Sequence, residues 1–348
     1  MRVAIASVQV PFVRGGAELL AESLRAELLA AGHEAEIVTV PFKWYPARRI
    51  LDHMLACRLM DLTESRTGPI DRLISLKFPA YMIPHSNKVV WLLHQHRGAY
   101  DLWGTHLGDL TAAPDGAHVR SAIRNADLAT LSEARAIYTL SGNVSGRLLA
   151  HCATASLPLY HPPPGAQRIR AGEYGDYMLF PSRINALKRQ SLAIDALART
   201  HHPVRVAFLG AADTPEYDVQ LRRRAADAGI EGRVSWLGGV SEERKLDLYS
   251  GCRAVIFPPI DEDYGYVTLE AMLAHKAVVT CTDSGGPLEF VQGGRTGLVC
   301  PPTPEALAEA LDQLWEDRAL AARLGRGGRD RYVGMGICWE DVVRCLLG

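Results

Sequence analysis

Short apolar runs alternate with longer amphipathic stretches along this chain of 348 residues. One series begins with the apolar run Arg2–Val8, and an amphipathic stretch over Gly16–Ala31 follows it. A second series begins with Tyr177–Phe180 and continues with a helical pattern over Gln190–Arg199. This rhythm is typical of βα units, in which helices connect parallel strands. The pattern therefore predicts an α/β fold with two separate doubly wound domains and a cleft between them.

The remaining segments extend both series. Further apolar runs predict strands at Glu36–Val40, Arg72–Leu76, Val89–Leu93, Ala136–Thr139, Val204–Leu209, Val234–Leu237, Ala254–Phe257 and Ala277–Cys281. Amphipathic stretches predict helices at His118–Ala126, Glu216–Ala228, Glu242–Ser250, Thr268–Ala274 and Pro304–Asp317. The segment His161-Pro-Pro-Pro-Gly-Ala166 separates the two series, and its prolines favour an extended linker. We therefore expect domains over residues 1–165 and 166–330, followed by a separate segment over 331–348.

Composition excludes several classes of protein. A formal net charge of −1 and a pI near 6.9 give no global electrostatic attraction to nucleic acid or to anionic membranes. The seven cysteines are scattered without a C-x-x-C motif, which favours a reducing cytosol. The segment Met1–Val10 is typical of a first strand rather than a secretory signal. No apolar run approaches the roughly 20 residues that span a bilayer. A cytoplasmic protein is expected.

Two carboxylates flank a predicted turn from strand to helix in Glu262-Asp-Tyr-Gly-Tyr-Val-Thr-Leu-Glu270. This turn follows an apolar run, and in open α/β sheets ligands bind at the carboxyl ends of the strands. Ionised carboxylates accept strong hydrogen bonds from hydroxyl groups, so Glu262 and Glu270 suit a sugar ligand. The alternative is a surface helix start, where acidic residues are stabilised by the helix dipole.

Two glycine pairs lie where strands are expected to lead into helices. Gly15-Gly16 opens the first helix, and Gly285-Gly286-Pro287 opens a helix of the second series. Glycine allows close approach of the backbone to a ligand, and free N–H groups at a helix start bind anions. A tight turn is the more common explanation of a single pair, but one pair in each domain favours a shared ligand.

Basic residues and a histidine complete the candidate site. Arg183 and Lys188 follow the first strand of the second series. The planar guanidinium of arginine and the compact ammonium of lysine both suit a diphosphate, although a solvated basic turn fits the same pattern. His94 ends an apolar run and could polarise a substrate hydroxyl, with His96 as the competing candidate. Neither G-x-G-x-x-G after the first strand nor a P-loop motif occurs, which argues against a dehydrogenase or a P-loop ATPase.

The acidic run Asp261-Glu262-Asp263 is similar to a D-x-D metal site, in which carboxylates hold a divalent cation that bridges phosphates. The basic residues and glycine turns named above can neutralise the phosphate charge instead. We therefore expect no metal requirement and no other cofactor.

Together these motifs resemble the retaining glycosyltransferases of family GT4, which have the GT-B fold of two Rossmann-like domains. The resemblance covers nearly the whole chain and is most specific in the second half. Four motifs occur there in the family's order and spacing: Pro181-Ser-Arg183 with Lys188, Val234-Ser-Trp-Leu-Gly238, Glu262 through Glu270-Ala-Met272, and Ser284-Gly-Gly-Pro-Leu-Glu289. The first half is weaker, as expected of the acceptor-binding domain.

The resemblance implies roles for individual residues. Glu270 would hold the ribose hydroxyls of a nucleoside-diphosphate sugar, with UDP or GDP as carrier, and Glu262 would contact the donor sugar. Arg183 and Lys188 would face the diphosphate. His94 matches the family's active-site histidine better than His96. The donor site would further include Gly15, Gly16, Val234, Trp236, Leu237, Gly265, Tyr266, Val267, Gly285, Gly286 and Pro287.

The same resemblance sets wider expectations. The segment 331–348 would pack back on the first domain, and segment His94–Trp103 is similar to a bacterial subgroup acting in polysaccharide, glycolipid or natural-product assembly. Lipid-linked acceptors would bring the protein to the inner face of the membrane, a peripheral contact that the charge balance does not reveal. Asp263 departs from the family, which usually has glycine after the first glutamate. An epimerase of the same fold and a non-catalytic sugar-nucleotide-binding subunit remain as alternatives.

Overall fold

The computed structural model describes all residues from Met1 to Gly348. The chain divides into two compact units, and each has its own hydrophobic core. The first unit comprises Met1–Pro164 together with Cys338–Gly348, and the second comprises Gly165–Ile337. The boundary thus follows the proline run that separates the two series of the sequence.

A parallel six-stranded sheet with the order β2-β1-β5-β6-β7-β8 forms the centre of the first unit. The strands of this unit, including a small hairpin of β3 and β4, are β1 (Arg2–Gln9), β2 (Glu34–Pro41), β3 (Glu64–Ser65), β4 (Gly68–Pro69), β5 (Arg72–Ser75), β6 (Lys88–Leu92), β7 (Ala136–Thr139) and β8 (Leu157–Pro158). The helices that accompany them are α1 (Gly16–Ala30), α2 (Arg49–Leu59), α3 (Gly116–Leu131) and α4 (Gly142–Cys152). Central strands β5 and β6 are buried along their whole length, as expected for a sheet covered on both faces.

The second unit contains another parallel six-stranded sheet, with the order β11-β10-β9-β12-β13-β14. Its strands are β9 (Met178–Pro181), β10 (Val206–Leu209), β11 (Val234–Gly238), β12 (Ala254–Ile256), β13 (Ala277–Cys281) and β14 (Gly297–Cys300). Its helices are α5 (Gln190–Leu197), α6 (Pro215–Asp227), α7 (Glu242–Gly251), α8 (Tyr266–Leu273), α9 (Pro287–Phe290), α10 (Pro304–Glu316) and α11 (Arg318–Gly334). Threonine and serine side chains cap several of these helices, including Thr214 on α6 and Thr303 on α10.

The last helix, α12 (Trp339–Leu347), belongs to the first unit. Its carboxyl end is tied to the sheet because Arg72 donates hydrogen bonds to the backbone carbonyls of Leu346 and Leu347, at 3.0 and 2.9 Å. The ring of Trp339 contacts those of Trp91 and His161, whose side chains are fully buried. The helix starts eight residues later than the predicted segment, because α11 continues through residue 331 to Gly334.

The strand orders locate the place where each sheet can bind a ligand. In open α/β sheets this place is the crevice where the strand order reverses, at the carboxyl ends of the strands. In the second unit the first strand, β9, lies between β10 and β12, so the reversal lies between β9 and β12. In the first unit it lies between β1 and β5. The loops after these four strands are therefore the candidate ligand-binding loops.

Candidate functional site

Lys188 and Glu262 meet at the reversal of the second sheet. Lys188 lies in the loop after β9, and Glu262 lies in the loop after β12, the neighbouring strand. The Lys188 ammonium forms a short ion pair with the Glu262 carboxylate, and both side chains retain about a fifth of their exposure at 17% and 21%. The same ammonium lies 5.4 Å over the ring of Phe257. The structure thus brings together two of the residues that the sequence predicted for the donor site.

The glycine loop joins this pair through the backbone. The N–H of Glu262 donates to the Ser284 carbonyl at 2.9 Å, and the N–H of Gly286 donates to the Glu262 carbonyl at 2.8 Å. Gly285, with a φ of 69°, lies opposite Glu262 in this short parallel bridge. Because Gly286 uses its N–H for the bridge, Gly285 is the member of the pair whose N–H is left for a ligand.

A second cation, which the sequence analysis did not select, lies beside this loop. Both terminal nitrogens of Arg189 pair with the carboxylate of Asp283, one of them at 2.8 Å. The Arg189 side chain is only 15% exposed, and its backbone is left-handed with a φ of 59°. The positive φ is unusual for arginine and directs the chain into α5. Adjacent basic residues were visible in the sequence, but the acidic partner lies 94 residues away.

Arg183 lies apart from this cluster. Its guanidinium pairs with Asp213 at 3.2 Å and is more than half exposed, and Asn185 donates to the same carboxylate at 2.9 Å. The side chain therefore lies at the loop after β10 rather than on the Lys188–Glu262 pair. Its predicted contact with a diphosphate remains a prediction, and the present contact with Asp213 would have to be exchanged for it.

Glu270, on α8, is a nearly buried carboxylate held by the neighbouring helix α7. Lys245 lies 3.1 Å from one carboxylate oxygen, and the Tyr249 hydroxyl donates to the other at 2.6 Å. Burial works against the charge of Lys245, but the carboxylates of Glu270 and Glu242 outweigh it and raise its pKa. Burial, reinforced by Glu270, raises the pKa of Tyr249 far above its usual range. The sequence predicted Glu270 but neither of its partners.

The segment between the two glutamates is packed against the glycine loop. Gly265 has a φ of 86°, which favours glycine, and a Cβ atom there would lie 3.0 Å from the Phe257 ring and 3.2 Å from Pro287. Tyr266 begins α8, and burial together with Glu270 raises the pKa of its hydroxyl. Val267 follows in the first turn of the helix and is half-buried. Gly265 and Pro287 thus lie in one packed cluster with Phe257 and Lys188.

The residues predicted near the base lie on the edge strand β11, two strands from β9. The Trp236 ring is stacked on Phe208 at 4.7 Å, and the Arg222 guanidinium lies 5.0 Å over it. A surface cavity of about 290 Å³ is lined by Trp236, Gly238 and Ile184, the last of which follows β9. Val234 and Leu237 are half-buried on the same strand. Their role remains a prediction, and a base could reach only the edge of the Trp236 ring.

In the first unit, the glycine pair and a lysine lie at the reversal of the sheet. Gly15 caps α1, and its N–H donates to the Glu18 carboxylate at 2.8 Å. Lys77, in the loop after β5, lies 3.4 Å from the same carboxylate. An acidic side chain therefore already occupies the start of α1, next to Gly16. A diphosphate at Gly15 and Gly16 would have to share or displace Glu18.

The two candidate histidines differ in their surroundings. His94 contacts its neighbour's backbone, with Nδ1 2.6 Å from the Gln95 carbonyl. His96 lies against the Phe78 ring at 5.3 Å, and its burial lowers its pKa. Both are half-buried in the loop after β6. A neutral His96 packed on an aromatic ring is typical of a structural residue, which favours His94 for a role at a ligand.

A buried carboxylate, that of Asp127, is hydrogen-bonded to residues of the segment that contains His94. Asp127 on α3 accepts hydrogen bonds from the hydroxyls of Tyr81 and Tyr100, both at 2.7 Å. Gln95 donates to Cys152 and lies 3.5 Å from Asp127. Burial raises the pKa of Asp127 to about 6, although these hydrogen bonds oppose the shift. The network fixes the residue between the two histidines.

Two further features concern metal and membrane. No group of three or more histidine, cysteine, aspartate or glutamate side chains is arranged to hold a metal ion. Asp261 and Asp263 flank Glu262 in the loop after β12, and Asp261 has a left-handed backbone. None of the helices combines the length and the apolar content that crossing a bilayer requires.

Comparison with known proteins identifies the kind of domain that carries the site. Residues 167–331, nearly the whole of the second unit, match the family described as Glycosyl transferases group 1. The alpha-1,3/1,6-mannosyltransferase ALG2 of Dictyostelium discoideum is 34% identical over 131 residues, which are 36% of this chain and 31% of that protein. The chain thus matches about a third of the length of that relative.

Longer matches come from a bacterial relative and from a solved structure. The D-inositol 3-phosphate glycosyltransferase of Streptomyces avermitilis is 26% identical over 313 residues, which are 74% of this chain and 67% of that protein. The crystal structure of Anabaena Alr3699/HepE in complex with UDP-glucose has a TM-score of 0.73 at 16% identity, and the match covers 100% of this chain and 98% of that one. At this identity the likeness shows the fold alone. It confirms the predicted GT-B fold with two parallel-sheet α/β domains.

Proposed function

We propose that this protein is a retaining glycosyltransferase that moves a sugar from a nucleoside-diphosphate sugar to an acceptor hydroxyl. The convergence of Lys188, Glu262 and the Gly285–Gly286 loop at the reversal of the second sheet carries this proposal. A cation, a carboxylate and a free backbone N–H suit the diphosphate, the sugar hydroxyls and a phosphate oxygen, respectively. Relatives named as glycosyltransferases and a structural neighbour with UDP-glucose support the same donor class.

The chemistry requires stabilisation of a departing diphosphate. The bond between the anomeric carbon and the diphosphate breaks while the acceptor oxygen bonds to the same face of the sugar, which retains the configuration. The acceptor proton passes to the leaving phosphate. Lys188, assisted by Arg183 and the N–H of Gly285, would stabilise the charge that develops on the diphosphate. His94 would orient the acceptor hydroxyl, and Glu262 would hold the donor sugar.

The positions of the base and the ribose and the identity of the acceptor are narrower proposals. The base would lie at the end of β11, beside the cavity that Trp236 lines, and the ribose would bind Glu270. UDP and GDP both remain candidates for the carrier. The acceptor would be a glycan, a lipid-linked saccharide or a small natural product, and a lipid acceptor would bring the protein to the inner face of the membrane. The absence of a large net charge leaves no case for a nucleic-acid partner.

Donor binding and transfer provide the test of the proposed function. A nucleoside-diphosphate sugar at 100 times its Kd should stabilise the protein by about 2.7 kcal/mol, which a thermal-shift screen of UDP- and GDP-sugars would detect. The bound donor is then incubated with and without bacterial glycan and lipid extracts, and the anomeric signals are followed by NMR. We expect transfer with retained configuration only when acceptor is present. Epimerised donor without acceptor would indicate the epimerase, and no stabilisation by any donor would contradict the proposal.

Removal of divalent metal should leave transfer intact. Lys188 and Arg189 are two cationic groups beside the glycine loop, paired at present with Glu262 and Asp283, and a diphosphate would draw on them in place of a bridging ion. We expect the initial rate in EDTA to stay within about twofold of the rate with Mg²⁺, since side chains supply the charge stabilisation. A rate that collapses in EDTA and returns with Mg²⁺ or Mn²⁺ would contradict this expectation and show that a metal takes part in the transfer.

A further inference from the structure

Helix α7 carries two side chains, Lys245 and Tyr249, that both contact the carboxylate of Glu270 on helix α8. They lie four residues apart and therefore on one face of α7. Lys245 holds Oε1 of Glu270 and Tyr249 holds Oε2, at 3.1 and 2.6 Å. Each oxygen of the Glu270 carboxylate thus has its own donor, which fixes the plane of the carboxylate as well as its position.

The contacts with Lys245 and Tyr249 leave acceptor sites of the Glu270 carboxylate for a ligand. An ionised carboxylate offers about four acceptor sites, and the two donors of α7 occupy two of them. Its side chain keeps 10% of its exposure, whereas the Tyr249 side chain is fully buried. Glu270 also lies in the second turn of α8, the helix that follows β12 and the loop carrying Glu262. The loop that leads into α8 therefore lies at the ligand-binding edge of the sheet.

We propose that Lys245 and Tyr249 are positioning residues that orient Glu270 to recognise the cis-diol of the donor ribose. The inference rests on the proposed function, because it takes a nucleoside diphosphate as the ligand. A cis-diol presents two hydroxyl donors side by side, and a carboxylate of fixed orientation can accept both. A carboxylate free to rotate would instead distinguish poorly between a ribose and a 2′-deoxyribose. The hydrogen bonds from Lys245 and Tyr249 of α7 thus make the site selective for ribonucleotides.

The obvious alternative is a purely structural link between α7 and α8. A buried charge needs partners for stability alone, and both helices contribute to the core of the unit. Such a link predicts that weakening it lowers the affinity for every nucleotide by the same factor. Orientation of Glu270 predicts instead a change in the preference for ribose over 2′-deoxyribose.

Calorimetric affinities for UDP and 2′-deoxy-UDP, and for GDP and 2′-deoxy-GDP, separate these cases. We expect wild-type protein to prefer the ribonucleotide by about tenfold or more, as for a hydrogen bond to a charged group. Tyr249→Phe keeps the ring and removes only the hydroxyl, and it should reduce that preference to about threefold or less because one carboxylate oxygen loses its fixed partner. Lys245→Met, at a quarter-exposed position, should act in the same direction and serves if Tyr249→Phe does not fold.

Tyr177→Phe is the matched control. The Tyr177 hydroxyl donates to the Leu248 carbonyl of α7 at 2.8 Å, so its removal loosens the same helix without contacting Glu270. We expect this variant to keep the wild-type preference for ribose. An equal loss of affinity for both sugars in Tyr249→Phe and Lys245→Met, or a wild-type protein without ribose preference, would overturn the inference while leaving the proposed function standing. Wild-type protein that binds neither UDP nor GDP would overturn both.

Discussion

Replacing Lys188 with alanine is expected to lower kcat/KM for sugar transfer by about 100- to 1,000-fold, as for the loss of one donor that stabilises a developing anion. Lys188 is the cation held against Glu262 at the reversal of the second sheet. Its removal takes away positive charge from the departing diphosphate. It also leaves the carboxylate of Glu262 without this partner, where it would repel the donor. Initial rates at several donor concentrations measure the effect.

Two comparison variants make this prediction specific. Arg199 is a cation of the same unit that is paired with Glu305 at 2.8 Å and is far more exposed, so Arg199→Ala should keep wild-type kinetics. Arg183→Ala should have a smaller effect than Lys188→Ala, because Arg183 is exposed and paired with Asp213. A Lys188→Ala enzyme with kcat/KM within about threefold of the wild type would refute the role, since loss of such a donor has a far larger effect.

The periodicity of the sequence predicted both sheets but overlooked two helices of the first unit. Helix α2 was missed because Leu55 and Leu59 point to solvent and obscure its apolar stripe. Helix α4 was missed although Ser141 caps it by accepting a hydrogen bond from Val144, a signal that the sequence does carry. Strand β14 was also missed, and so was the two-residue strand β8.

The second unit extends past the predicted boundary after residue 330, to Ile337. The predicted boundary after residue 330 falls inside α11, whose sequence contains several glycines that ordinarily disfavour helices. A Cβ atom on Gly325 would lie 2.0 Å from the carbonyl oxygen of His275, and one on Gly328 would lie 3.1 Å from the Met272 side chain. These glycines let α11 pack closely on the segment of α8. Tertiary packing, which no local pattern reveals, overrides the propensity.

In the candidate site, too, some residues could be predicted from the sequence and others could not. Lys188, Glu262, Gly285 and Glu270 could be selected from the sequence because each follows a strand and has the side chain or backbone that its proposed contact requires. The Arg189–Asp283 pair and the contact of Lys245 with Glu270 could not be predicted, because each joins residues that are far apart in the chain. A local pattern identifies which residue types end a strand. Only the strand order decides which of those ends are neighbours.

Replacing Gly286 with alanine is expected to disrupt the glycine loop of the donor site. The new Cβ would lie 2.9 Å from the carbonyl oxygens of Asp263 and Tyr264 and 3.0 Å from the Tyr264 Cα. All three are backbone atoms, so no side chain can rotate away to relieve the contact. The overpacking should destabilise the unit by about 1–3 kcal/mol. At about 2–4 °C for each kcal/mol, the lower Tm is measurable by calorimetry.

Loss of donor binding should accompany this lower Tm, and it distinguishes Gly286 from an ordinary packing position. Separation of the two loops breaks the hydrogen bond from Gly286 to the Glu262 carbonyl and shifts Glu262 away from Lys188. We expect the affinity for UDP or GDP to fall at least about tenfold, the equivalent of 1.4 kcal/mol. Gly293→Ala is the control, since its Cβ would meet only Val299 at 3.9 Å. If Gly286→Ala keeps wild-type Tm and nucleotide affinity, the glycine loop does not shape the donor site, because a clash with fixed backbone cannot leave both unchanged.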